Sequence, residues 1–485
     1  MEISEAIDVR EDSQLYPDTI EIGESARNRI LQSFQYLQDK IKTTDRPIYG
    51  VNTGFGSLCQ TIIPPSEIKT LQRNLLISHA CGVGEVVPEP ICRLMLLLKI
   101  KSLSFGFSGV SLPLVERMVE FYNKRITPVV YNQGSLGASG DLAPLAHLAL
   151  PLIGEGEVWH NGKRTSSGQL GFEPIQLGPK EGIALINGTQ FMSAYGSYIL
   201  NRVHRLKHKA NAVASLSLEC YDALPQAFFP QSHAIRQHPG QRSVAAYVHE
   251  FLSDSTIIHS DKSHVQDPYS FRCVPQVHGA SWDAFEHITE VFNQEVNSVT
   301  DNPNVFAEDD LVLSAGNFHG QPLAINLDYL SIAISEIGSI SERRIYRLLE
   351  GKRGLPLFLT ESPGLNSGLM IAQYTAASIA SQNKQLCTPS SVDTIESSNG
   401  QEDHVSMGAN AATKCLSVLQ NLEQILGIEW ITAYRATHFR QKDSFSSRGR
   451  AIIDWSSKQI EAPLKDYYLS PDLLKSKKLI YDLPE

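Results

Sequence analysis

From residue 133 to residue 145 the chain reads Gln133-Gly134-Ser135-Leu136-Gly137-Ala138-Ser139-Gly140-Asp141-Leu142-Ala143-Pro144-Leu145, with glycines three apart at 134, 137 and 140. The plainest reading is a tight turn ahead of a helix, with the glycines supplying positive φ. A phosphate cradle is a second reading, but the run lacks the Lys-Ser/Thr of a P-loop and the G-x-G-x-x-G spacing of a dinucleotide site. A hydrolase elbow with Ser139 as nucleophile and His147 as base is a third; it fails at Asp141, which stands two places after the serine where a small residue is needed. The fourth is self-modification. In a compressed turn the Gly140 nitrogen can attack the Ala138 carbonyl and close a five-membered ring, and two dehydrations, one removing the Ser139 hydroxyl, leave an exocyclic methylene. Ala138 limits crowding, Ser139 supplies the hydroxyl, and Gly140 lets its nitrogen approach closely. The product is an electrophile, which ordinary side chains do not provide.

The run G-S-x-G-A-S-G-D-L-A-P-L resembles the active-site signature of the aromatic amino-acid ammonia-lyases that act on histidine, phenylalanine or tyrosine. The resemblance, which spans roughly Tyr49 to Gly408, implies that Ala138, Ser139 and Gly140 become 4-methylidene-imidazol-5-one (MIO), with no external cofactor. It assigns further roles. Tyr49, opening Tyr49-Gly50-Val51-Asn52-Thr53-Gly54-Phe55-Gly56, is implied to be the base that takes the substrate β-proton from a lid loop; taken alone it would be an interface or core tyrosine. To serve as a phenolate near neutrality it needs a downward pKa shift of about 3 units, part of which helix N-termini could supply. Arg272, in Gln266-Asp267-Pro268-Tyr269-Ser270-Phe271-Arg272, is otherwise a routine surface cation; the resemblance gives it the substrate carboxylate, for which its fork is suited. Gln266 and Tyr269 match positions near the substrate. Asn187, in Ile186-Asn187-Gly188-Thr189-Gln190, matches the asparagine beside the MIO carbonyl, and Phe318, in Asn317-Phe318-His319, a pocket-lining aromatic.

Two places bear on the substrate ring. Ser78-His79 stands where phenylalanine enzymes of the family typically show Phe-Leu, and Glu402, in Gln401-Glu402-Asp403-His404, where phenylalanine and tyrosine enzymes usually carry glutamine. A carboxylate can accept an imidazole N–H, whereas against a phenyl ring it would stay without a ligand partner at a cost of about 1–3 kcal/mol. The implied substrate is L-histidine and the implied product trans-urocanate. The alternatives are a tyrosine or phenylalanine ammonia-lyase and a 2,3-aminomutase, which use the same electrophile. A metal site at Glu402, Asp403 and His404 is disfavoured because adjacent residues rarely converge on one ion. His204 and His208, at helical spacing, lack the H-E-x-x-H pattern and read as a solvated basic face. No metal is expected.

The elements that must position these residues read as helices. In the 485-residue chain, 42% hydrophobic and 19% charged, a packed core is well supplied, and a net charge of −10 argues against nucleic acid as a partner. Seven scattered cysteines without a C-x-x-C pair suggest neither a disulfide framework nor a zinc ribbon. Together with an N-terminal stretch lacking the order of a secretion signal, they lead to a cytoplasmic expectation. The most lipophilic segment, Ile91 to Phe107, is interrupted by Arg93, Lys99 and Lys101 and reads as a buried helix, so no membrane association is expected.

Ser66 reads as the N-cap of a helix carrying Ile68, Leu71, Leu75 and His79 on one face, stopped by Gly82 and Gly84. Long proline-free stretches, Lys180 to Leu224, Leu323 to Leu355 and Ser390 to Ala462, can each hold a long helix. In the second, Leu327, Leu330, Ile334, Ile337 and Leu348 keep one register. The clearest strand signal is a hairpin at Gly156 to Lys163 turning at Asn161-Gly162. The expected fold is mainly α, a long-helix bundle of the aromatic ammonia-lyase type with few short strands. It divides into an N-terminal MIO-bearing region, 1–195, and a long-helix region, 196–485, in one continuous protomer. The resemblance implies a homotetramer with active sites shared between protomers, acting on a small molecule.

Overall fold

The structure is a computed structural model that describes residues 1–44 and 46–485. Its main helices are α1 (Glu24–Thr43), α2 (Ile68–His79), α3 (Glu89–Ser104), α4 (Leu112–Asn123), α5 (Leu142–Ala149), α6 (Glu181–Ile186), α7 (Gln190–Cys220), α8 (Val274–Val296), α9 (Gln321–Leu348), α10 (Met370–Leu386) and α11 (Gly408–Thr437). The strands are short: β1 (Val83–Val86) pairs with β3 (Tyr131–Gln133), β2 (Thr127–Pro128) with β4 (Glu157–His160) and β4 with β5 (Lys163–Ser166), and β6 (Asn304–Phe306) with β7 (Leu311–Leu313), all antiparallel. The chain forms two compact units, one of Met1–Asn201, Thr289–Asp328 and Pro389–Thr413, the other of Arg202–Ile288, Tyr329–Thr388 and Lys414–Glu485. Each gathers stretches distant in sequence, so their limits differ from a division at 195/196.

In the first unit, α3 is the expected buried helix. From Leu94 to Ser104 every residue is buried, Lys99 and Lys101 included. A helix apolar on all sides packs on all sides, and its cations must then find acceptors inside the protein. Helix α2 ends at His79 as its glycine stops require, but it begins differently from expectation. Pro65–Glu67 forms a single 3-10 turn, and Glu67 precedes the helix without a side-chain cap. Proline presets the φ of a first helical position, so Pro65 opens a turn that absorbs Ser66 before it can cap. The β4–β5 hairpin turns at Asn161 and Gly162, with φ of 52° and 70°, the pair of left-handed residues a tight hairpin demands.

In the second unit, Leu330, Ile334, Ile337 and Leu348 of α9 are buried, which gives the apolar seam its place in a core. The same core holds a bidentate ion pair: Arg344 Nε and Nη2 lie 2.5 and 2.8 Å from the two oxygens of Glu429, which also accept from Ser217 and Ser341. With every lone pair direction served, the charges are tolerated without water. By length and composition α9 could cross a membrane, and 61% of its most apolar window is buried inside the protein.

Helices α7 and α8 approach closely in the first unit because Gly196 faces Phe292, where an added Cβ would lie 1.9 Å from the ring. Ala at a helical glycine gains about 1 kcal/mol in propensity, but overpacking a core costs about 1–3 kcal/mol, and at this separation the clash wins. Gly196→Ala should therefore lower the denaturation midpoint in a urea titration; a raised midpoint would contradict the packing described.

Candidate active site

A cavity of about 1070 Å³ opens in the first unit, lined among others by Tyr49, His79, Ser139, Asn187, Phe318 and Glu402. The turn at its edge is held by backbone. Gly140 has φ of +74° and forms an isolated bridge with Gly188, and an added Cβ would sit 2.2 Å from the Gly188 carbonyl oxygen. No residue but glycine fits there. The Asp141 N–H donates to the same Gly188 carbonyl at 2.8 Å. At Gly137, φ +64°, an added Cβ would lie 2.2 Å from Ser406 Oγ. The Ser406 hydroxyl donates to the Gly137 carbonyl at 3.0 Å, and the Met407 N–H donates to Leu136 O at 2.9 Å. These contacts lash the segment after Glu402 to the turn.

Ser139 is held at both ends of its chemistry. Its hydroxyl donates to Glu402 Oε1 at 2.6 Å, and its carbonyl accepts from the Asn187 amide at 2.7 Å. Glu402 Oε2 accepts from Ser397 at 2.9 Å. The other amide atom of Asn187, Oδ1, is buried and has no partner.

His79, at the last position of α2, lies 3.0 Å by Nδ1 from the Ser78 hydroxyl. Burial holds its pKa below the ordinary histidine value, with the Leu75 backbone and the Glu402 carboxylate pulling the other way. The ring is therefore neutral near pH 7 and presents one donor and one acceptor. The Tyr49 oxygen accepts from the Gly56 N–H at 3.3 Å. Its pKa is raised above the ordinary value, first by burial and then by the nearby Glu402 carboxylate, against the Gly56 hydrogen bond. This reverses the direction a phenolate base requires. The surroundings supply desolvation and a like charge, and a single backbone donor does not outweigh them.

Gln266, Tyr269 and Arg272 belong to the second unit. Gln266 and Arg272 line another cavity there, Tyr269 is 70% exposed, and the Arg272 guanidinium lies over the Tyr269 ring at 4.5 Å. Arg272 Nε is buried without a partner, so the guanidinium retains an unspent donor. The structure thus gathers Tyr49, His79, Ala138, Ser139, Gly140, Asn187, Phe318 and Glu402 in one unit and the remaining three expected residues in the other.

Two residues of the site escaped the sequence reading. Ser397 completes the Glu402 carboxylate. Asp141 is fully buried, with Oδ2 accepting from the Phe191 and Met192 N–H groups in the first turn of α7 and Oδ1 from Ser135. An acid after Gly140 and before α5 looks like an ordinary N-cap, yet its side chain caps a helix fifty residues away. Its position inside the glycine run was the available signal.

The fold and this site together define a class. The family model for aromatic amino acid lyases matches residues 1–457, and the chain belongs to that family. It is 46% identical over 463 residues to the histidine ammonia-lyase of Symbiobacterium thermophilum, covering 94% of this chain and 91% of that one. It is 44% identical over 472 residues to the histidine ammonia-lyase of Bacillus subtilis, covering 95% and 93%. Among solved structures, the histidine ammonia-lyase of Trypanosoma cruzi superposes with a TM-score of 0.90 at 37% identity, covering 99% of this chain and 94% of that one. A tyrosine aminomutase of Streptomyces globisporus superposes at 0.93 and 31%, covering 99% and 97%. The mainly α, long-helix architecture expected from sequence is the one observed.

Burial pushes the Asp141 carboxyl up to about 7, against hydrogen bonds from Met192, Ser135 and Phe191 and the charge of Lys99. In the fold it keeps a proton that the unfolded chain gives up near its ordinary 3.8. The stability this confers is complete below about pH 4 and is lost as pH rises to about 7. Asp141→Asn keeps the acceptor and removes the titration. It should flatten the pH dependence of unfolding free energy across that window by up to about 1.4 kcal/mol per pH unit. Equal slopes in urea melts of both proteins would contradict the burial described.

Proposed function

We propose that the protein eliminates ammonia from L-histidine to give trans-urocanate, using MIO formed from Ala138, Ser139 and Gly140. The observation that carries this reading is the turn itself. Gly140 is pressed against Gly188, the Ser139 carbonyl is polarised by Asn187, and the Ser139 hydroxyl is bonded to a carboxylate that can take up or return a proton. The surroundings fit the group: glycine is obligatory at 140, and Asn187 is already placed on a carbonyl that the closed ring would keep. When present, MIO supplies the electrophile that turns the substrate amine into a leaving group.

The chain's own residues do the rest. The Asn187 amide draws electron density from the Ser139 carbonyl. His79, neutral, and Glu402 lie on the cavity wall where they can bind the two imidazole nitrogens, and Phe318 walls the pocket. Tyr49 takes the β-proton in this reading. Burial raises its pKa first and the Glu402 charge adds to that; a cationic or N–H donor on the Glu402 carboxylate removes the second of these obstacles. Arg272, with its unspent Nε donor, takes the substrate carboxylate, with Tyr269 and Gln266 beside it. The exposure of Gln266 and Tyr269 in the second unit fits sites completed by neighbouring protomers, so we also propose a cytoplasmic homotetramer.

Intact mass spectrometry should find the purified chain lighter by two waters, and L-histidine should be consumed with ultraviolet absorbance rising as urocanate forms. A full-mass chain, or consumption of tyrosine with histidine untouched, would overturn the reaction or the specificity respectively. The structural likeness to aminomutases makes product identity decisive, since a mutase would return a β-amino acid. Tyr49→Phe should lower kcat by about 10²–10⁴-fold, the usual yield of a positioned acid or base. Glu402→Gln should lower kcat/KM for L-histidine by about 10–100-fold, the loss of one hydrogen bond to a charged group. A Y49F protein with unchanged kcat would move the base role from Tyr49 to Glu402, an acid-base group on the same cavity wall.

A further inference from the structure

Of the buried cations that the proposed function does not use, Lys99 lies against the residue that reaches the reactive turn. Lys99 sits in the middle of α3, completely shielded from solvent. Its Nζ donates to two carbonyls, Ala184 O at 2.8 Å and Asn187 O at 2.7 Å. These belong to α6 and to the residue that ends it, where carbonyls have run out of helical donors and a cation is favoured. Asn187 closes α6 through its own N–H to Ile183 O at 2.9 Å. It is thus pinned by its backbone on both sides while its side chain reaches Ser139 O. The next residue, Gly188, with φ +135°, turns the chain onto Gly140 and Asp141.

Packing alone does not call for an ammonium at this point. A methionine of similar length would fill the same space with no charge to desolvate. What lysine adds is direction: short, charge-assisted bonds to carbonyls on either side of the α6 terminus. The cost of the buried charge is moderated by neighbours. Asp301 and Asp141 attract it and Lys180 repels it, while Lys180 is itself paired with Asp301 at 2.9 Å. Burial nevertheless brings the Lys99 pKa down to about 7. Even as the neutral amine it keeps two N–H donors, the number it uses here.

We propose that Lys99 is a positioning residue for the reactive turn: by anchoring the Asn187 and Ala184 carbonyls it holds the Asn187 amide on the Ser139 carbonyl, and ring closure and turnover both depend on that hold. The inference rests on the function proposed above, in that turnover is read with L-histidine. It does not touch substrate; it acts through Asn187.

The test compares wild type with Lys99→Met, Lys99→Gln and Lys99→Arg in the full-length protein, each checked for folding by circular dichroism and size. Lys99→Met should show a smaller fraction of chain lighter by two waters and faster deuterium uptake in peptides covering 184–189 and 136–142. Its kcat should fall about 10–100-fold with KM within about twofold, as expected when bonds to a charged group that set a geometry are lost. Lys99→Arg, which keeps charge and donors, should restore most of each. A folded Lys99→Met with wild-type dehydration, uptake and kcat would overturn the proposal. If Lys99→Met does not fold, a folded Lys99→Gln, whose amide stops one bond short of the lysine nitrogen, with wild-type dehydration, uptake and kcat would overturn it equally. If the wild type itself retains both waters, the proposed function fails, while deuterium uptake at 184–189 still decides whether Lys99 holds Asn187.

Discussion

The contact between the backbones of Gly140 and Gly188 is the constraint from which the rest of the site follows. A methyl group at Gly140 would fall 2.2 Å from the Gly188 oxygen, so the two strands of chain meet at a separation that only glycine allows. Once that bridge is made, register does the rest. Asn187, one residue before Gly188, is set opposite Ser139, one residue before Gly140, and its amide meets the Ser139 carbonyl. Asp141, one residue after, donates its N–H to Gly188 and turns its carboxyl toward the start of α7. One backbone approach therefore fixes a donor, an acceptor and a helix terminus without any of them having to find its place independently.

Behind this turn the protein buries charge instead of hydrocarbon. Lys99, Lys180, Asp141 and Asp301 are all shielded from solvent. Two basic and two acidic groups balance one another, and each has protein partners, which is the condition for titratable groups to be kept in a dry interior. Apolar packing is non-directional and would let the turn settle into neighbouring conformations. Bonds to carbonyls and amides specify angles as well as distances, and a turn whose nitrogen and carbonyl must meet depends on angles.

Much of this was legible in the residues, and what was not has physical reasons. The 3-4-3 seam of α9 announced a buried helix because helical period and burial are the same signal, and Asn161-Gly162 announced its hairpin because few other pairs accept two left-handed residues. The reactive run stood out through glycines that a packed turn requires. By contrast, Lys99 and Lys101 read as interruptions of an apolar segment because a sequence does not say which cations find acceptors inside. Asp141 drew notice only as the residue that breaks a hydrolase elbow, because its partners lie on α7 and such distant pairings carry no periodicity. The paired strands β1–β3 and β6–β7 are too short for alternation to register. The Tyr49 environment was not legible for a similar reason: burial raises its pKa first, and Glu402, hundreds of positions away in the chain, adds to it.

Glu402 also shows how specificity and maturation are joined. In the uncyclised chain both of its oxygens are occupied, Oε1 by the Ser139 hydroxyl and Oε2 by Ser397. On the proposed function the Ser139 hydroxyl is the group that leaves, so ring closure strips Oε1 of its donor and leaves a partly buried carboxylate one hydrogen bond short. An imidazole N–H restores that bond; a phenyl ring cannot, and the unpaired oxygen then weighs against it by about 1–3 kcal/mol. Discrimination of this kind comes from leaving a polar group unsatisfied with the wrong ligand, which excludes an apolar analogue more effectively than shape alone. The reaction that creates the electrophile would thus also open the position that selects the substrate.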